Sequence, residues 1–297
     1  YTTEVMSRTT EDRQVARQAA APSITATALV GELALRLGNQ LIVACAEHGV
    51  VLMPLKGLLL LGRWPSLRGR RDLVDIDVLV RSSDVEVVAR VLRTLGFEET
   101  VRSSAGGTFS SDAWPLSIDI HRRLFPHGLF HVSSDGVFCR ARRDESLFAG
   151  AVARMSDDDL FAHLIGHFVK GRGTFLQDTS LDDIRWLLKQ SCFQLEDAER
   201  LGAHFRALGL HRAAGYVLAH ESFRNEPVAS AVVGSLRLSR ADRTTIAVAR
   251  LGTDAGRGSP PWWTPHLLDR SLIAGGHSIL NHADEAAHRL VGRVTDV

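Results

Sequence analysis

Three aspartates occupy positions where carboxylates are unexpected, inside runs of apolar residues. Asp75 and Asp77 are two apart in a segment that has the composition of a β-strand. Because side chains alternate along a strand, both carboxylates should share one face, while Ile76 and Val78 point to the core. Asp119 lies between two isoleucines in a second predicted strand. Burying such carboxylates is costly unless they are paired or bind a cation, so the pattern predicts a cation site.

The chemistry that suits this arrangement is phosphoryl transfer. Three carboxylates on adjacent strands would repel one another, and a divalent metal ion relieves that repulsion. Mg²⁺ prefers oxygen ligands and commonly combines a few carboxylates with substrate phosphates, and Mn²⁺ is the alternative ion. Two such ions can hold the attacking and leaving oxygens of an in-line displacement. A lone Asp-x-Asp is more often solvated or salt-bridged, here to Arg70 or Arg71. The order of the surrounding motifs nevertheless favours the metal site.

Basic and glycine residues precede the aspartates, and a histidine follows them. Leu55-Lys56-Gly57 opens a predicted helix, whose N–H groups can hold phosphate while the Lys56 ammonium adds positive charge. Arg71 lies in a basic loop and is expected to hold a triphosphate or to stabilise a leaving pyrophosphate. His121 shares a strand face with Asp119, so it is expected to orient that carboxylate or to contact an acceptor. Solvated side chains, or a structural histidine, are the alternatives.

Helices and strands alternate in the first half of the chain. A helix ending near Gly49 and a short strand precede the helix of Lys56-Gly57, and the strand of Asp75 and Asp77 follows. A helix capped by Ser82 or Ser83 then leads into three strands. This order predicts an α+β fold with a small mixed sheet and helices on one face.

The second half has a helical pattern. Ser156, followed by three aspartates, is predicted to cap one helix and Ser180 another, while Val228–Val233 is ambiguous between helix and strand. Further helical patterns cover about 195–220, 227–250 and 266–290. We therefore expect a flexible tail over 1–22, an α/β domain over 23–145 and an all-α domain over 146–297.

The composition narrows the class of protein. The 297 residues are 45% hydrophobic and 23% charged, as in a typical globular protein. The formal net charge is +1, and a nucleic acid is not the favoured partner because proteins that coat nucleic acids usually have a basic excess. No segment approaches the roughly 20 uninterrupted apolar residues of a membrane span, and no signal-peptide pattern is visible. Three scattered cysteines fit a reducing compartment, so we expect a cytoplasmic protein without membrane contact.

The ordered motifs resemble the nucleotidyltransferase superfamily with the DNA polymerase β-type palm. That superfamily has an apolar residue with Gly-Gly or Gly-Ser at a helix start, then apolar-Asp-apolar-Asp, then a third carboxylate on a later strand. The chain is more similar to a largely uncharacterised bacterial family with a Leu-Lys-Gly signature, whose members often lie among natural-product and peptide-modification genes. The matching residues are Leu55–Gly57, Arg71, Asp75–Val80, Ile118–His121, His163, His167 and Asp183–Leu188.

The resemblance implies a palm over residues 23–145 and a helical acceptor-binding domain over 146–297. It implies that Asp75 and Asp77 bind two Mg²⁺ (or Mn²⁺) ions, and that Asp119 binds one ion and helps to deprotonate an acceptor hydroxyl. That hydroxyl would attack the α-phosphate of an NTP and release pyrophosphate. The acceptor would be a small natural product, a peptide or a protein, with an RNA end least favoured. The residues expected to bind the nucleotide are Lys56, Gly57, Arg71 and His121.

Two other functions fit part of the sequence. A glycosyltransferase would use Asp75 and Asp77 to bind a metal and a nucleotide-sugar diphosphate, which leaves Lys56-Gly57 and Asp119 unexplained. A non-catalytic palm-like binding or antitoxin-type protein would keep the fold without turnover, although all three aspartates are present. The remaining polar or aromatic candidates, interpreted as core, cleft-lining or loop-anchoring residues, are His163, His167, Asp183, Trp262 and Trp263.

Overall fold

A computed structural model describes residues 24–126, 128–171, 179–190, 192–254 and 264–269. The predicted tail over 1–22, the pair Trp262 and Trp263, and all but the start of the helix predicted over 266–290 lie outside the described residues.

The first helix, α1 (Ile24–Ala46), contributes an apolar stripe to the core. Leu37, Leu41 and Cys45 recur every four residues and are buried, as the periodicity predicts. The helix is followed by Gly49, whose positive φ of 73° lets the chain reverse direction. Of the described helices, α1 has the length and mean hydropathy that a membrane span requires. A buried core helix meets the same two criteria, and the buried stripe of α1 is what such a helix shows.

The palm-like half is built on a five-stranded sheet. Its strands are β1 (Met53–Pro54), β2 (Asp75–Leu79), β3 (Glu98–Ser103), β4 (Gly106–Ser110) and β5 (Ser117–His121). They are ordered β1-β2-β5-β4-β3, with β2 and β5 parallel and the other neighbouring pairs antiparallel. The predicted mixed sheet is therefore confirmed, and its one parallel pair consists of the two strands that carry the aspartates.

Two helices of this half differ in how they are buried. In α2 (Lys56–Arg63), four consecutive leucines, Leu58–Leu61, are all buried, so this helix lies inside the core. The amphipathic α3 (Val85–Thr94) buries its valine and leucine face. The predicted cap at Ser82 or Ser83 is wrong. The helix starts after Asp84, because residues 82–84 form a turn in which the Asp84 N–H donates to the carbonyl of Arg81.

A short hairpin that the sequence did not indicate lies between the two halves. It consists of β6 (Arg142–Asp144) and β7 (Val152–Arg154). The N–H of Ala153 donates to the carbonyl of Leu52 over 2.8 Å, next to β1. The hairpin crosses the predicted boundary at residue 145, and the domain limits stay a prediction.

The second half is helical, as predicted, which confirms the α+β fold class. Ser156 caps its helix by accepting the N–H of Asp159, whereas Ser180 already lies within a helix and is not a cap. Val228–Val233 is helical, because Pro227 starts a helix there. The helices are α4 (Ser134–Arg140), α5 (Asp157–Lys170), α6 (Thr179–Lys189), α7 (Ala198–Ala207), α8 (His211–Leu218), α9 (Pro227–Ser235), α10 (Arg240–Asp254) and the single turn α11 (Thr264–Leu267).

Candidate active site

The parallel register of β2 and β5 determines where the three aspartates lie. Asp77 is directly opposite Asp119, and Asp75 is opposite Ser117. Directly opposed residues of neighbouring strands project to the same face, so all three carboxylates share one face of the sheet. The intervening residues Ile76 and Ile118 are fully buried on the other face. Local alternation and strand pairing therefore bring the carboxylates together.

Asp77 is the best-anchored carboxylate of the site. Its side chain is 5% exposed, and its Oδ1 accepts a hydrogen bond from Lys56 Nζ at 2.9 Å. The same oxygen lies 2.7 Å from Nε2 of His121. Burial alone would raise the pKa of Asp77, but the hydrogen bond from His121 and the charge of Lys56 outweigh it. They hold the pKa well below its ordinary value, so Asp77 is ionised.

Within the described part of the chain, neither Asp75 nor Asp119 forms an ion pair comparable to that of Asp77 with Lys56. Oδ1 of Asp119 is buried and has no hydrogen-bond partner among the described residues. Burial and the negative charge of Asp77 raise the pKa of Asp75 above its ordinary value, and the opposing effects of Lys56 and Arg71 are smaller. The carboxylates of the site therefore carry more negative charge than the neighbouring amine balances.

A divalent cation fits this surplus of negative charge. Among the residues that the structure describes, one potential ligand atom each of Asp77, Asp119 and His121 lies within 4.8 Å of the other two. The three carboxylates share this face with one lysine ammonium, while the nearby Arg71 guanidinium is paired with Asp183. The buried Oδ1 of Asp119 is an oxygen of the kind that Mg²⁺ and Mn²⁺ prefer.

Lys56 is fixed beside Asp77 by the backbone. The N–H of Leu55 donates to the carbonyl of Asp77 over 3.0 Å, which joins the start of α2 to β2. Lys56 itself has a φ of 39°, in the left-handed region that non-glycine residues seldom occupy. The N-cap residue, Leu55, offers no side-chain hydrogen bond to the first N–H groups of α2, so these groups can bind a phosphate beside the lysine.

The side chain of Arg71 forms an ion pair with a residue of the helical half. Its Nε and Nη2 donate to the two carboxylate oxygens of Asp183 on α6, each over 2.8 Å, and both side chains are at most 10% exposed. Burial would lower the pKa of Arg71, but Asp183 raises it above its ordinary value, so the pair is ionised. A Cβ on Gly57 would lie 2.2 Å from Nη1 of Arg71, so the start of α2 packs directly on the guanidinium. The nucleotide-binding roles of Gly57 and Arg71 stay predictions.

Two histidines of α5, His163 and His167, lie close enough to the site for the charges of Lys56 and Asp77 to affect their pKa values. His163 is 2% exposed, neither of its ring nitrogens has a hydrogen-bond partner among the described residues, and it stacks on His167 with centroids 6.1 Å apart. Burial, and secondarily the charge of Lys56, hold the pKa of both well below the ordinary 6.5, so both are neutral. Nδ1 of His167 lies 3.2 Å from the Ser180 hydroxyl.

Sequence reasoning missed the contacts that join the two halves at the site. Arg71 and Asp183 are 112 residues apart, and Arg63 donates to Asp157 over 2.5 Å across 94 residues. Each of these residues was visible in the sequence, but nothing local to it indicated its partner. The only signal was that Asp183, like His163, is a polar residue within an otherwise apolar helical pattern.

The chain belongs to the family described as "Uncharacterised nucleotidyltransferase", whose sequence profile matches residues 12–223. This match covers both the aspartate strands and the first helices of the second half. It confirms the prediction of a nucleotidyltransferase family.

Two solved structures of the antibiotic-resistance factor ANT(2'')-Ia are similar to the chain. One is a solution structure that covers 58% of this chain and 91% of its own, at 16% identity and a TM-score of 0.42. The other, a crystal structure in complex with adenylyl-2''-tobramycin, covers 58% and 97% at the same identity and TM-score. No curated protein matches the chain. A likeness this distant assigns no substrate to the chain.

Proposed function

We propose that the protein is a metal-dependent nucleotidyltransferase that moves a nucleoside monophosphate from an NTP to a hydroxyl acceptor. The observation that carries the proposal is that Asp77 lies opposite Asp119 on parallel strands, beside Lys56. In addition, Oδ1 of Asp119 is buried and has no hydrogen-bond partner among the described residues. This set combines an anion-rich metal site with a cation at a helix N-terminus. Both are needed to hold a triphosphate for attack at its α-phosphate.

Asp77 and Asp119 would hold the metal ion, with Asp75 adjacent on the same strand face. A bound Mg²⁺ or Mn²⁺ ion supplies Lewis acidity at the α-phosphate and neutralises charge that develops on the leaving oxygen. The residues fit such an ion, because the carboxylates exceed the positive charge nearby and offer oxygen ligands.

The chain's own residues perform the other tasks of the reaction. Lys56 and the uncapped N–H groups of α2 bind phosphate oxygens of the NTP. The Asp119 carboxylate accepts the proton of the acceptor hydroxyl. The hydroxyl oxygen forms a bond to the α-phosphorus as the bond to the β-phosphate oxygen breaks, and pyrophosphate leaves.

The acceptor would bind between the sheet and the helical half. The polar side chains that α5 and α6 place near the site are His163, His167 and Asp183, and Asp183 is already paired with Arg71. The formal net charge of +1 does not give the basic excess that is usual in proteins that bind nucleic acids. This favours a small molecule, a peptide or a protein side chain over a nucleic acid.

The test is pyrophosphate release from each of ATP, GTP, CTP and UTP, with Mg²⁺ or Mn²⁺, against panels of hydroxylated small molecules, peptides and proteins. We expect release with at least one NTP, transfer of its α-phosphate label to the acceptor, and loss of both in Asp77→Asn and Asp119→Asn. Asp112→Asn, a change at an exposed aspartate between β4 and β5, is the matched control and should retain activity.

Two outcomes would overturn the proposal. Hydrolysis of nucleotide sugars without pyrophosphate release from any NTP would indicate the glycosyltransferase alternative. No turnover in any combination, together with tight binding of a protein partner, would indicate a non-catalytic binding protein.

A further inference from the structure

The residues whose ligand atoms lie close enough together to share a cation differ from the three predicted aspartates. Ligand atoms of Asp77, Asp119 and His121 lie within 4.8 Å of one another, and Asp75 is not a member of this group. The difference matters because it exchanges a carboxylate oxygen for an imidazole nitrogen.

The strand register explains why a histidine lies at the site. His121 is two residues after Asp119 on β5, so both side chains project from the same face. It is opposite Leu79, two residues after Asp77 on β2. The imidazole therefore lies two residues beyond the Asp77–Asp119 pair along the strands, and its Nε2 contacts Oδ1 of Asp77.

The contact between His121 and Asp77 is compatible with two ligands of one ion. Nε2 of His121 lies 2.7 Å from Oδ1 of Asp77. In an octahedral site with bonds of about 2.1 Å, adjacent ligand atoms are about 3.0 Å apart. For both atoms to bind one ion, their separation must grow by a few tenths of an ångström and the imidazole proton must lie on Nδ1, so that metal bonds replace the hydrogen bond between them. A carboxylate oxygen of Asp119 is the third ligand atom of this group.

We infer that His121 is a direct metal ligand, so that the site is a two-carboxylate, one-imidazole site that binds Mn²⁺ more tightly than Mg²⁺. The chemical reason is that Mg²⁺ is bound almost entirely through oxygen, whereas imidazole favours the later first-row divalent ions. Coordination through Nε2 requires the tautomer that carries its proton on Nδ1. The inference rests on the proposed metal-dependent function, which it refines by naming the ligand set and the preferred ion.

Electron spin echo envelope modulation of Mn²⁺ bound to the full-length protein tests the inference directly. A coordinated imidazole nitrogen modulates the echo at ¹⁴N frequencies, and a histidine that only hydrogen-bonds to Asp77 gives no such directly coordinated nitrogen. We expect ¹⁴N modulation in the wild-type protein without added nucleotide. We expect it to vanish in His121→Gln and to persist in His163→Gln, the matched change at a histidine outside the ligand group.

Calorimetry with each metal ion alone supplies the second measurement. The Mn²⁺ affinity should fall about tenfold or more in His121→Gln. The Mg²⁺ affinity should fall less, because the lost ligand is a nitrogen atom and Mg²⁺ is bound almost entirely through oxygen. Circular dichroism confirms that the variants are folded, and the wild-type spectrum tests the inference even if a variant is not.

The result that overturns the inference is a wild-type Mn²⁺ spectrum without ¹⁴N coupling, or coupling that survives in His121→Gln. Failure of the proposed function has a different signature. Transfer of nucleotide by a protein whose Mn²⁺ shows no ¹⁴N coupling refutes only the ligand assignment. Clear His121 coupling without pyrophosphate release from any NTP refutes only the proposed activity.

Discussion

Replacing Gly57 by alanine probes how the start of α2 is held. The added Cβ would lie 2.2 Å from Nη1 of Arg71 and 2.5 Å from Cδ2 of Leu73. Ordinary contacts between non-bonded atoms are about 3.5–4.0 Å, so the guanidinium must move by more than about 1 Å. An arginine tip usually moves easily, but this one makes two 2.8 Å hydrogen bonds to Asp183 and is buried.

The cost follows from these contacts. Gly57 lies in a helix without positive φ, so alanine would by itself stabilise the protein by about 0.5–1 kcal/mol. Overpacking costs about 1–3 kcal/mol, and breaking a buried ion pair costs about 3–5 kcal/mol. Because the pair with Asp183 is strained and not removed, we expect Gly57→Ala to lower the free energy of unfolding by about 3 kcal/mol.

Urea denaturation followed by circular dichroism measures this change. The matched control is Gly234→Ala in α9, where an added Cβ meets nothing within 4 Å, and it should be neutral or stabilising by up to about 1 kcal/mol. In an Arg71→Ala background the cost of Gly57→Ala should fall by about 1 kcal/mol or more, because the guanidinium is gone. Equal costs in both backgrounds, or wild-type stability of Gly57→Ala, would refute this packing.

Three further predictions concern the buried polar groups. The pKa of Asp159 is held at about 2 although burial opposes this. The ionised carboxylate should therefore stabilise the folded protein by about 2 kcal/mol above pH 4, and this stabilisation should be lost as the pH falls to 2. Urea titration should show that the free energy of unfolding depends less on pH in Asp159→Asn. Asp183→Asn should lower the free energy of unfolding by about 3 kcal/mol, because the charge of Arg71 stays buried without its partner. At the exposed neighbour, Asp182→Asn should lower it by under 1 kcal/mol, and equal effects would contradict the buried pair. His163→Leu should be as stable to unfolding as the wild type, because neither ring nitrogen of His163 has a hydrogen-bond partner among the described residues. The variant should raise the KM for the acceptor more than the Kd for NTP. An equal rise of the two constants would show that His163 does not act on acceptor binding.

The parts of the fold that the sequence predicts correctly are those with several local signals. Ser156 is followed by three aspartates in the first turn of α5, and these independent helix-start signals agree. Ser82 and Ser83 are the predicted caps, whereas the helix begins after Asp84, a third adjacent residue of a type that can cap a helix. The β6–β7 hairpin was missed because its first strand, Arg142–Asp144, is three charged residues without an apolar alternation.

For the candidate site, the sequence shows which face each side chain occupies but not its partner. The alternation around Asp77 and around Asp119 is local, whereas their direct opposition depends on the register of two strands. From the sequence, the expected partners of Arg71 are Asp75 and Asp77, because they are near in the chain. The actual partner, Asp183, comes from the packing of α6, which no local pattern encodes.

The central claim is that the aspartates hold an NTP through a divalent ion, and calorimetry of nucleotide binding tests it most directly. We predict that the wild-type protein binds at least one of ATP, GTP, CTP and UTP, and that Mg²⁺ or Mn²⁺ tightens this binding by about tenfold or more. In Asp75→Asn/Asp77→Asn the metal-dependent gain should disappear, while circular dichroism shows that the protein is folded. Binding that is independent of the metal, or unchanged in the double variant, would contradict the account.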